Sequence, residues 1–126
     1  MKENMYIARS SDREFLERAE HGGAVTSLLK FALKSGRVDS VLAIKAQGGD
    51  RYDGIPVLIN NPEELLETAG SLHCSSVNIA RFLKEYLDGA ASLKIAVTVK
   101  PCDAKAIIEL AKRNQITLDD LLLIGV

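Results

Sequence analysis

The segment LKIAVTVKPCDAKAIIELAKRNQITLDDLLLIGV, residues 93–126, carries the pattern of a strand, a helix and a second strand. Residues 93–99 and 121–126 are apolar and nearly free of charge, as in strands that are covered on both faces of a sheet. Between them, residues 101–114 begin with a proline, and their apolar side chains recur at helical spacing. Since a helix separates the two strands, we expect them to lie parallel in one sheet.

More strands are predicted towards the start of the chain. Residues 5–10 (MYIARS) have the pattern of a first strand, and residues 40–47 (SVLAIKAQ) and 54–60 (GIPVLIN) have the pattern of two more. The last two are joined through GGDRYD, residues 48–53, whose Gly-Gly-Asp is typical of a turn. We therefore expect these two strands to form a hairpin.

Three further helices are predicted. The first begins after Gly23 and ends at Gly36, because glycine readily adopts the left-handed backbone conformation that ends many helices. The second starts with Asn61 as N-cap and Pro62 at the first helical position, and the third covers residues 76–89. The expected buried positions are Val25, Leu28, Leu29, Ala32 and Leu33 in the first helix, Ile79, Leu83, Tyr86 and Leu87 in the third, and Ala104, Ile107, Ile108 and Ala111 in helix 101–114.

These patterns predict a single α/β domain over residues 1–126. We expect a mixed sheet of about five strands, part parallel and with one hairpin, with about four helices packed on it. No internal repeat, low-complexity tract or linker-like boundary interrupts the chain. An apolar strand that ends on Val126 without a polar tail leads us to expect that the natural chain continues.

Composition narrows the classes of function. Sixteen basic and seventeen acidic residues leave a net charge of -1, which gives no electrostatic reason to expect nucleic acid or an anionic membrane as partner. No apolar run has the length of a signal peptide or of a membrane span, so we expect a cytoplasmic protein. Cys74 and Cys102 are too few for a disulfide framework or a four-cysteine metal site.

The segment HGGAVT, residues 21–26, places two glycines before a helix. A helix start offers N–H groups without intrahelical partners, and Gly22 and Gly23 would let another molecule approach the main chain closely. The Thr26 hydroxyl either faces the same ligand or bonds the preceding turn. A phosphate or an electron-rich ring suits such a site, while the alternative is that the glycines only fit a strained turn.

The loop AGSLHCSS, residues 69–76, groups side chains that can bond a cofactor or a metal. They are the hydroxyls of Ser71, Ser75 and Ser76, the imidazole of His73 and the thiol of Cys74. The alternative is helix punctuation, in which Gly70 ends one helix, a serine caps the next, and the thiol packs as a small apolar group.

Lys100, Pro101 and Cys102 stand where strand 93–99 gives way to a helix. Ligands of parallel α/β sheets bind outside the carboxyl ends of the strands, so this junction is a favourable place for a ligand-binding or reactive site. We expect the helix dipole and Lys100 to favour thiolate chemistry or metal ligation at Cys102, which Asp103 would oppose. The alternative is that Cys102 is a buried packing residue.

The order HGGAVTSLLKFAL (21–33), ETAGSLHC (67–74) and VKPCDAKAIIELAKRNQITLDDLLLIGV (99–126) resembles the N-terminal part of a known family. It is the coenzyme F-420 hydrogenase/dehydrogenase beta-subunit family, and the KPCDA segment is most similar to its formate dehydrogenase beta subunits. The resemblance implies an oxidoreductase subunit with FAD and iron-sulfur clusters. Such a subunit passes electrons between a catalytic partner subunit and the 8-hydroxy-5-deazaflavin coenzyme F-420, also written F420, which exchanges hydride with the flavin.

The resemblance also implies a flavin site. Its expected cofactor-binding residues are the matches to the family's Gly-Gly-x-Val-Thr, Gly-Ser and Pro-Cys segments, together with the neighbouring cation: Gly22, Gly23, Ala24, Val25, Thr26, Gly70, Ser71, Lys100 and Pro101. We expect Lys100 to favour the anionic reduced flavin, and no side chain is expected to be an acid-base catalyst. Cys74 and Cys102 are either members of an incomplete set of iron-sulfur ligands or line the flavin site.

Longer family members continue into a Cys-Gly-Gly segment and further cysteines, whereas this chain stops at Gly125-Val126. The resemblance therefore implies the N-terminal flavin-site portion of a longer beta subunit, with weak or absent flavin binding by itself. Its partners would be the C-terminal remainder of that subunit and a catalytic alpha subunit of a formate dehydrogenase or hydrogenase. The sequence does not select the donor that the parent complex oxidises, which is formate, hydrogen or another compound.

Two alternatives from other classes of function remain. A thiol-redox or metal-sensing protein would use Cys74 and Cys102 directly, without a flavin. A non-catalytic interaction domain would dock through an unfinished edge of the sheet, with neither cofactor nor thiol.

Overall fold

The computed structural model of the chain describes residues 3–47, 50–70, 77–89 and 93–126. Both helices and strands occur along these ranges, and the α/β class predicted from the sequence is confirmed. The helices are α1 (Arg13–Arg18), α2 (Ala24–Lys34), the 3-10 helix Pro62–Thr68, α3 (Ile79–Gly89) and α4 (Pro101–Lys112), and the strands are β1 (Ser40–Gln47), β2 (Asp50–Ile59), β3 (Ile95–Val99) and β4 (Leu121–Gly125).

The four strands form one mixed sheet in the order β2-β1-β3-β4. Strand β2 runs antiparallel to β1, which confirms the hairpin, although Gly48 and Gly49 lie outside the described residues. Strands β1 and β3 are parallel, and so are β3 and β4, as the strand-helix-strand pattern predicts. The carboxyl ends of β1, β3 and β4 therefore meet at one edge of the sheet.

Helices cover both faces of the sheet. Alternate residues of a strand point to opposite faces, so Val41 of β1 joins one core cluster and Leu42 the other. The first cluster holds Leu29 of α2 together with residues of α1 and the 3-10 helix. The second holds Leu83 of α3 and Ile107 of α4. The sheet thus separates two helical layers.

The expected first strand, residues 5–10, is wrong. This segment pairs with none of the described strands, and Met5, Tyr6 and Ile7 are almost fully exposed. The segment is instead fixed at its end, where the N–H of Ser10 donates to the carbonyl of Gly22 at 2.6 Å.

The helical predictions are mostly confirmed, with local corrections. Gly36 has a φ of 68° at the end of α2, and the Asn61 side chain accepts from the N–H of Glu63 before Pro62. That segment forms a 3-10 helix, and the short α1 was not predicted. Leu28 and Ile108, expected on buried faces, are 55% and 45% exposed.

Strand β4 does not have the two covered faces expected of it. Leu122 and Leu123, on opposite faces, are 38% and 37% exposed, because β4 is an edge strand with one neighbour among the described strands. None of the described helices is long and apolar enough to cross a membrane.

Candidate functional site

A cavity of about 400 Å³ opens at the carboxyl edge of the parallel strands. Strand β1 pairs with β3 over only three residue pairs, which end at Leu42 opposite Val97. Beyond that point the two strands no longer pair, and the cavity lies between Ala43 and Ile44 on one side and Thr98 on the other. This is the location that the topology of a parallel α/β sheet favours for ligands.

The cavity collects most of the segments predicted to bind a cofactor. Six of the predicted residues line it: Gly23, Ala24, Val25, Thr26, Gly70 and Lys100. Gly22 and Pro101 are adjacent in sequence to lining residues but do not line it. Ser71 and Cys74 lie outside the described residues, as do His73, Ser75 and Ser76. Segments that are far apart in sequence thus meet around one space.

The Gly22-Gly23 turn has a backbone that favours glycine at both positions. Gly22 and Gly23 have φ angles of 81° and 66°. A Cβ on Gly23 would lie 3.3 Å from the Cβ of Ala19 and 3.4 Å from the Cβ of Phe15. A Cβ on Gly22 would lie 3.2 Å from the Cβ of Arg9. Both glycines are therefore needed by the fold itself, whatever occupies the cavity.

The N-terminal segment holds this turn against α2. The Ser27 hydroxyl donates to the Ser10 hydroxyl at 2.6 Å, and Ser10 is buried. Lys30 of α2 forms an ion pair with Asp12 at 2.9 Å and lies 4.7 Å from the centroid of the Phe15 ring. The hydrogen bond from Lys30 lowers the pKa of Asp12, and the same hydrogen bond raises the pKa of Lys30.

The start of α2 is an open donor site on the cavity wall. Its N-cap, Gly23, provides no side-chain cap, and its first turn carries no acidic residue. The first intrahelical bond runs from the N–H of Ser27 to the carbonyl of Gly23, so the N–H groups of Ala24, Val25 and Thr26 have no intrahelical acceptor. Thr26 is only 7% exposed, and its hydroxyl has no hydrogen bond to any described residue. This arrangement suits an electron-rich ligand atom.

Asp103 organises the opposite wall. It is 2% exposed, its Oδ1 accepts from the N–H of Ile79 at 3.1 Å, and its Oδ2 accepts from the N–H of Lys100 at 3.0 Å. One carboxylate thus satisfies donors at the starts of both α3 and α4. Its place at the third position of α4 was a visible capping signal, but its bond to Ile79 could not be read from the sequence.

Lys100 extends along the same wall, where its Nζ donates to the carbonyl of Val77 at 3.3 Å. The facing wall carries Glu20 and His21, each of which has an interaction partner. The apolar remainder of the lining includes Leu29 and Ile44. An apolar cavity with a few polar groups at its rim is typical of a small-molecule or cofactor site.

Cys102 does not join this site. It lies exposed in the first turn of α4 and does not line the cavity, so the alternative that Cys102 is a buried packing residue is wrong. Within the described ranges, no group of three or more His, Cys, Asp or Glu side chains is placed to hold a metal ion.

Comparison with known proteins gives consistent matches. Residues 5–84 match the family described as coenzyme F420 hydrogenase/dehydrogenase, beta subunit N-term. The chain is 53% identical to the F420-dependent formate dehydrogenase 1 subunit beta of Methanococcus maripaludis, covering 99% of this chain and 31% of that protein. It is 54% identical to the F420-dependent formate dehydrogenase subunit beta of Methanocaldococcus jannaschii, covering 94% of this chain and 30% of that one.

A solved structure has the same fold. It is a chain of the F420-reducing [NiFe] hydrogenase complex from Methanosarcina barkeri, with a TM-score of 0.67 and 28% identity, covering 89% of this chain and 38% of that chain. The chain spans about a third of the length of the curated relatives described here.

Proposed function

This chain belongs to the coenzyme F420 hydrogenase/dehydrogenase beta-subunit family, and we propose that it is the flavin-site portion of a longer beta subunit. The longer subunit transfers electrons between a catalytic partner subunit and coenzyme F420. The 53% and 54% identities to two formate dehydrogenase beta subunits favour formate as the donor of the parent complex, with hydrogen as the other possibility.

The observation that carries this proposal is the cavity at the carboxyl edge of the sheet. It brings Gly23–Thr26, Gly70 and Lys100 together, although they come from three separate parts of the chain. Its volume of about 400 Å³ is towards the small end of the ~300–1,000 Å³ typical of ligand pockets. The lining fits the flat, largely apolar ring system of a flavin, and the rest of FAD would need walls from other residues.

The residues present also fit the polar edge of such a ring. The open N–H groups of α2 and the Thr26 hydroxyl would bond the carbonyl oxygens of the ring or a phosphate. Lys100 would place a positive charge on the wall opposite α2, where Asp103 would hold the backbone of Lys100 in position. Bound FAD would supply the hydride chemistry with the deazaflavin, so the chain's own residues need only bind, orient and bias the charge.

An iron-sulfur cluster has no site among the described residues. Cys102 is exposed and alone, and Cys74 lies outside the described ranges. A cluster of the longer subunit would take most of its ligands from the remaining two thirds of its length. The oxidation of formate or hydrogen would take place on the catalytic alpha subunit.

The test is a flavin titration followed by absorbance and fluorescence quenching. We would use the M. maripaludis subunit in which the matched 125 residues are replaced by this chain, together with the chain alone. Thr26→Val removes a hydroxyl that has no partner within the described structure, so folding should be unaffected. Loss of one ligand hydrogen bond, about 0.5–1.5 kcal/mol, should weaken FAD binding by about 2- to 13-fold.

Thr117→Val, at an exposed position, is the matched control and should bind FAD as the wild type does. We expect weak or no binding by the chain alone and saturable binding by the longer subunit. Absence of FAD binding by the folded longer subunit would refute the flavin-site proposal. Equal affinity of the Thr26 and Thr117 variants would place the flavin elsewhere.

A further inference from the structure

The outer edge of β4 has backbone groups that pair with none of the described residues. The carbonyl of Asp120 accepts from the N–H of Ile95 at 2.9 Å, and the N–H of Val126 donates to the carbonyl of Val99 at 3.0 Å. In a parallel ladder alternate residues bond to the same neighbour, so Leu123 and Gly125 direct their N–H and C=O groups away from β3. Among the described strands, two consecutive pairing positions on this edge are therefore open.

The side chains of β4 are exposed in the way that a missing neighbour strand explains. Leu122 and Leu123 point to opposite faces of the sheet, yet both are more than one third exposed. The adjacent strand β3 has neighbours on both sides, and its residues Ile95, Ala96 and Val97 are completely buried. A strand placed beside β4 would cover both leucines at once.

The two edges of the sheet differ in their protection against pairing. Strand β2, at the other edge, contains Pro56, which lacks a backbone N–H, and the exposed charge of Asp53. Strand β4, Leu121–Gly125, contains neither proline nor charge. Proline and charged residues are common devices that keep an edge from pairing, so β4 has the composition of an edge that pairs.

We propose that the edge of β4 pairs with a β-strand from the remainder of the longer beta subunit. The two formate dehydrogenase relatives match nearly all of this chain with only 31% and 30% of their own length, so they contain ample further chain to supply it. Val126, directly after β4, lines the cavity, so an added strand would lie next to a space that needs further walls. The inference rests on the longer subunit of the proposed function and not on flavin binding.

Amide hydrogen exchange at residue resolution tests the pairing. The chain alone and the M. maripaludis subunit carrying this chain would be compared without added flavin. The Leu123 and Gly125 amides should exchange fast in the chain alone and at least about 10-fold more slowly in the longer subunit. The Leu122 and Ile124 amides, which face β3, should be protected in both and report that the sheet is folded.

Two results would overturn the inference. Fast exchange of Leu123 and Gly125 in a longer subunit whose Ile124 amide is protected would mean that the edge stays open. Protection of both amides in the chain alone, together with a dimer in light scattering, would mean that a second copy occupies the edge. Absence of flavin binding by a subunit that does protect these amides would refute the proposed function and leave the strand pairing intact.

A variant gives an independent check. Leu123→Pro removes the outward N–H but none of the bonds to β3, and Leu123→Ala is its matched control. In the longer subunit the Pro variant should lose the protection of the Gly125 amide, while the Ala variant should keep it. Equal protection in the two variants would contradict pairing at this edge.

Discussion

A glycine at the start of α2 has two possible reasons, its left-handed backbone and the lack of space for a Cβ. Replacing Gly23 and Gly36 by alanine distinguishes them. Gly23 and Gly36 have nearly the same backbone, with φ angles of 66° and 68°. An alanine in this left-handed region costs about 1–2 kcal/mol at either position. The surroundings differ, because a Cβ on Gly36 would meet no atom of a described residue within 4 Å, whereas one on Gly23 would meet Ala19 at 3.3 Å and Phe15 at 3.4 Å.

The extra contact sets the size of the difference. Phe15 is 2% exposed and the Ala19 side chain has no torsion that could turn it away, so the backbone must shift. Overpacking of this kind typically costs about 1–3 kcal/mol. Gly36→Ala should therefore lower the free energy of unfolding by about 1–2 kcal/mol and Gly23→Ala by about 2–5 kcal/mol.

Urea unfolding followed by circular dichroism measures both values, with the slope m as a check that the denatured states are comparable. Equal destabilisation of the two variants, within about 0.5 kcal/mol, would refute the argument from the Gly23 contact. A larger loss at Gly23 would also mean that weaker flavin binding in a Gly23 variant says little about the cavity. Thr26 is the better position for that question.

Three further predictions concern the charged groups. Asp103→Ala leaves two N–H groups without their acceptor and should lower the free energy of unfolding in urea by about 2–4 kcal/mol. The control Asp119→Ala, at an exposed position, should change it by less than about 0.5 kcal/mol. A small effect of Asp103→Ala would contradict the capping of two helices by Asp103. Asp12→Asn keeps a helix cap but removes the ion pair with Lys30, so the wild type should be more stable than this variant at neutral pH. In the folded chain the pKa of Asp12 is lowered from 3.8 and that of Lys30 is raised from 10.5. The stability difference between wild type and variant should therefore be lost as the pH falls through the lowered pKa of Asp12 or rises through the raised pKa of Lys30. A stability difference that is constant at all pH values would exclude the ion pair as its cause. Lys100→Ala in the longer, FAD-loaded subunit should lower the two-electron flavin potential by about 30–60 mV. This is the effect of removing a unit charge at about 6–12 Å with an effective dielectric constant of about 20. An unchanged potential in a spectroelectrochemical titration would remove Lys100 from the mechanism.

Local and periodic signals in the sequence predicted much of the fold. The hairpin, the parallel pair β3 and β4, and the ends of α2 follow from turn residues, charge-free runs and glycines, all of which act over a few residues. The short helix α1 was missed because only Phe15 in it is buried, which leaves no periodic pattern. Residues 5–10 have the composition of a strand, but a strand also needs a neighbouring strand, and none of the strands that the structure describes pairs with this segment.

The site was predictable to a different degree. The cofactor segments were predicted from a resemblance, and six of their residues line the cavity. The role of Asp103 was not predicted, because one of its two bonds reaches Ile79, 24 residues away in the sequence. Sequence spacing could suggest that Asp103 caps its own helix, but only the packing of α3 against α4 brings the second donor to the carboxylate.

The short contact between β1 and β3 has a consequence for cooperativity. The β1 and β2 strands pair over seven residue pairs and β3 with β4 over five, but the two halves of the sheet are joined by only three. The shortest strand pairing in the sheet thus separates the hairpin and α2 from β3, α4 and β4. A ligand in the cavity would contact both halves of the sheet, so we expect ligand binding to make the two halves unfold cooperatively.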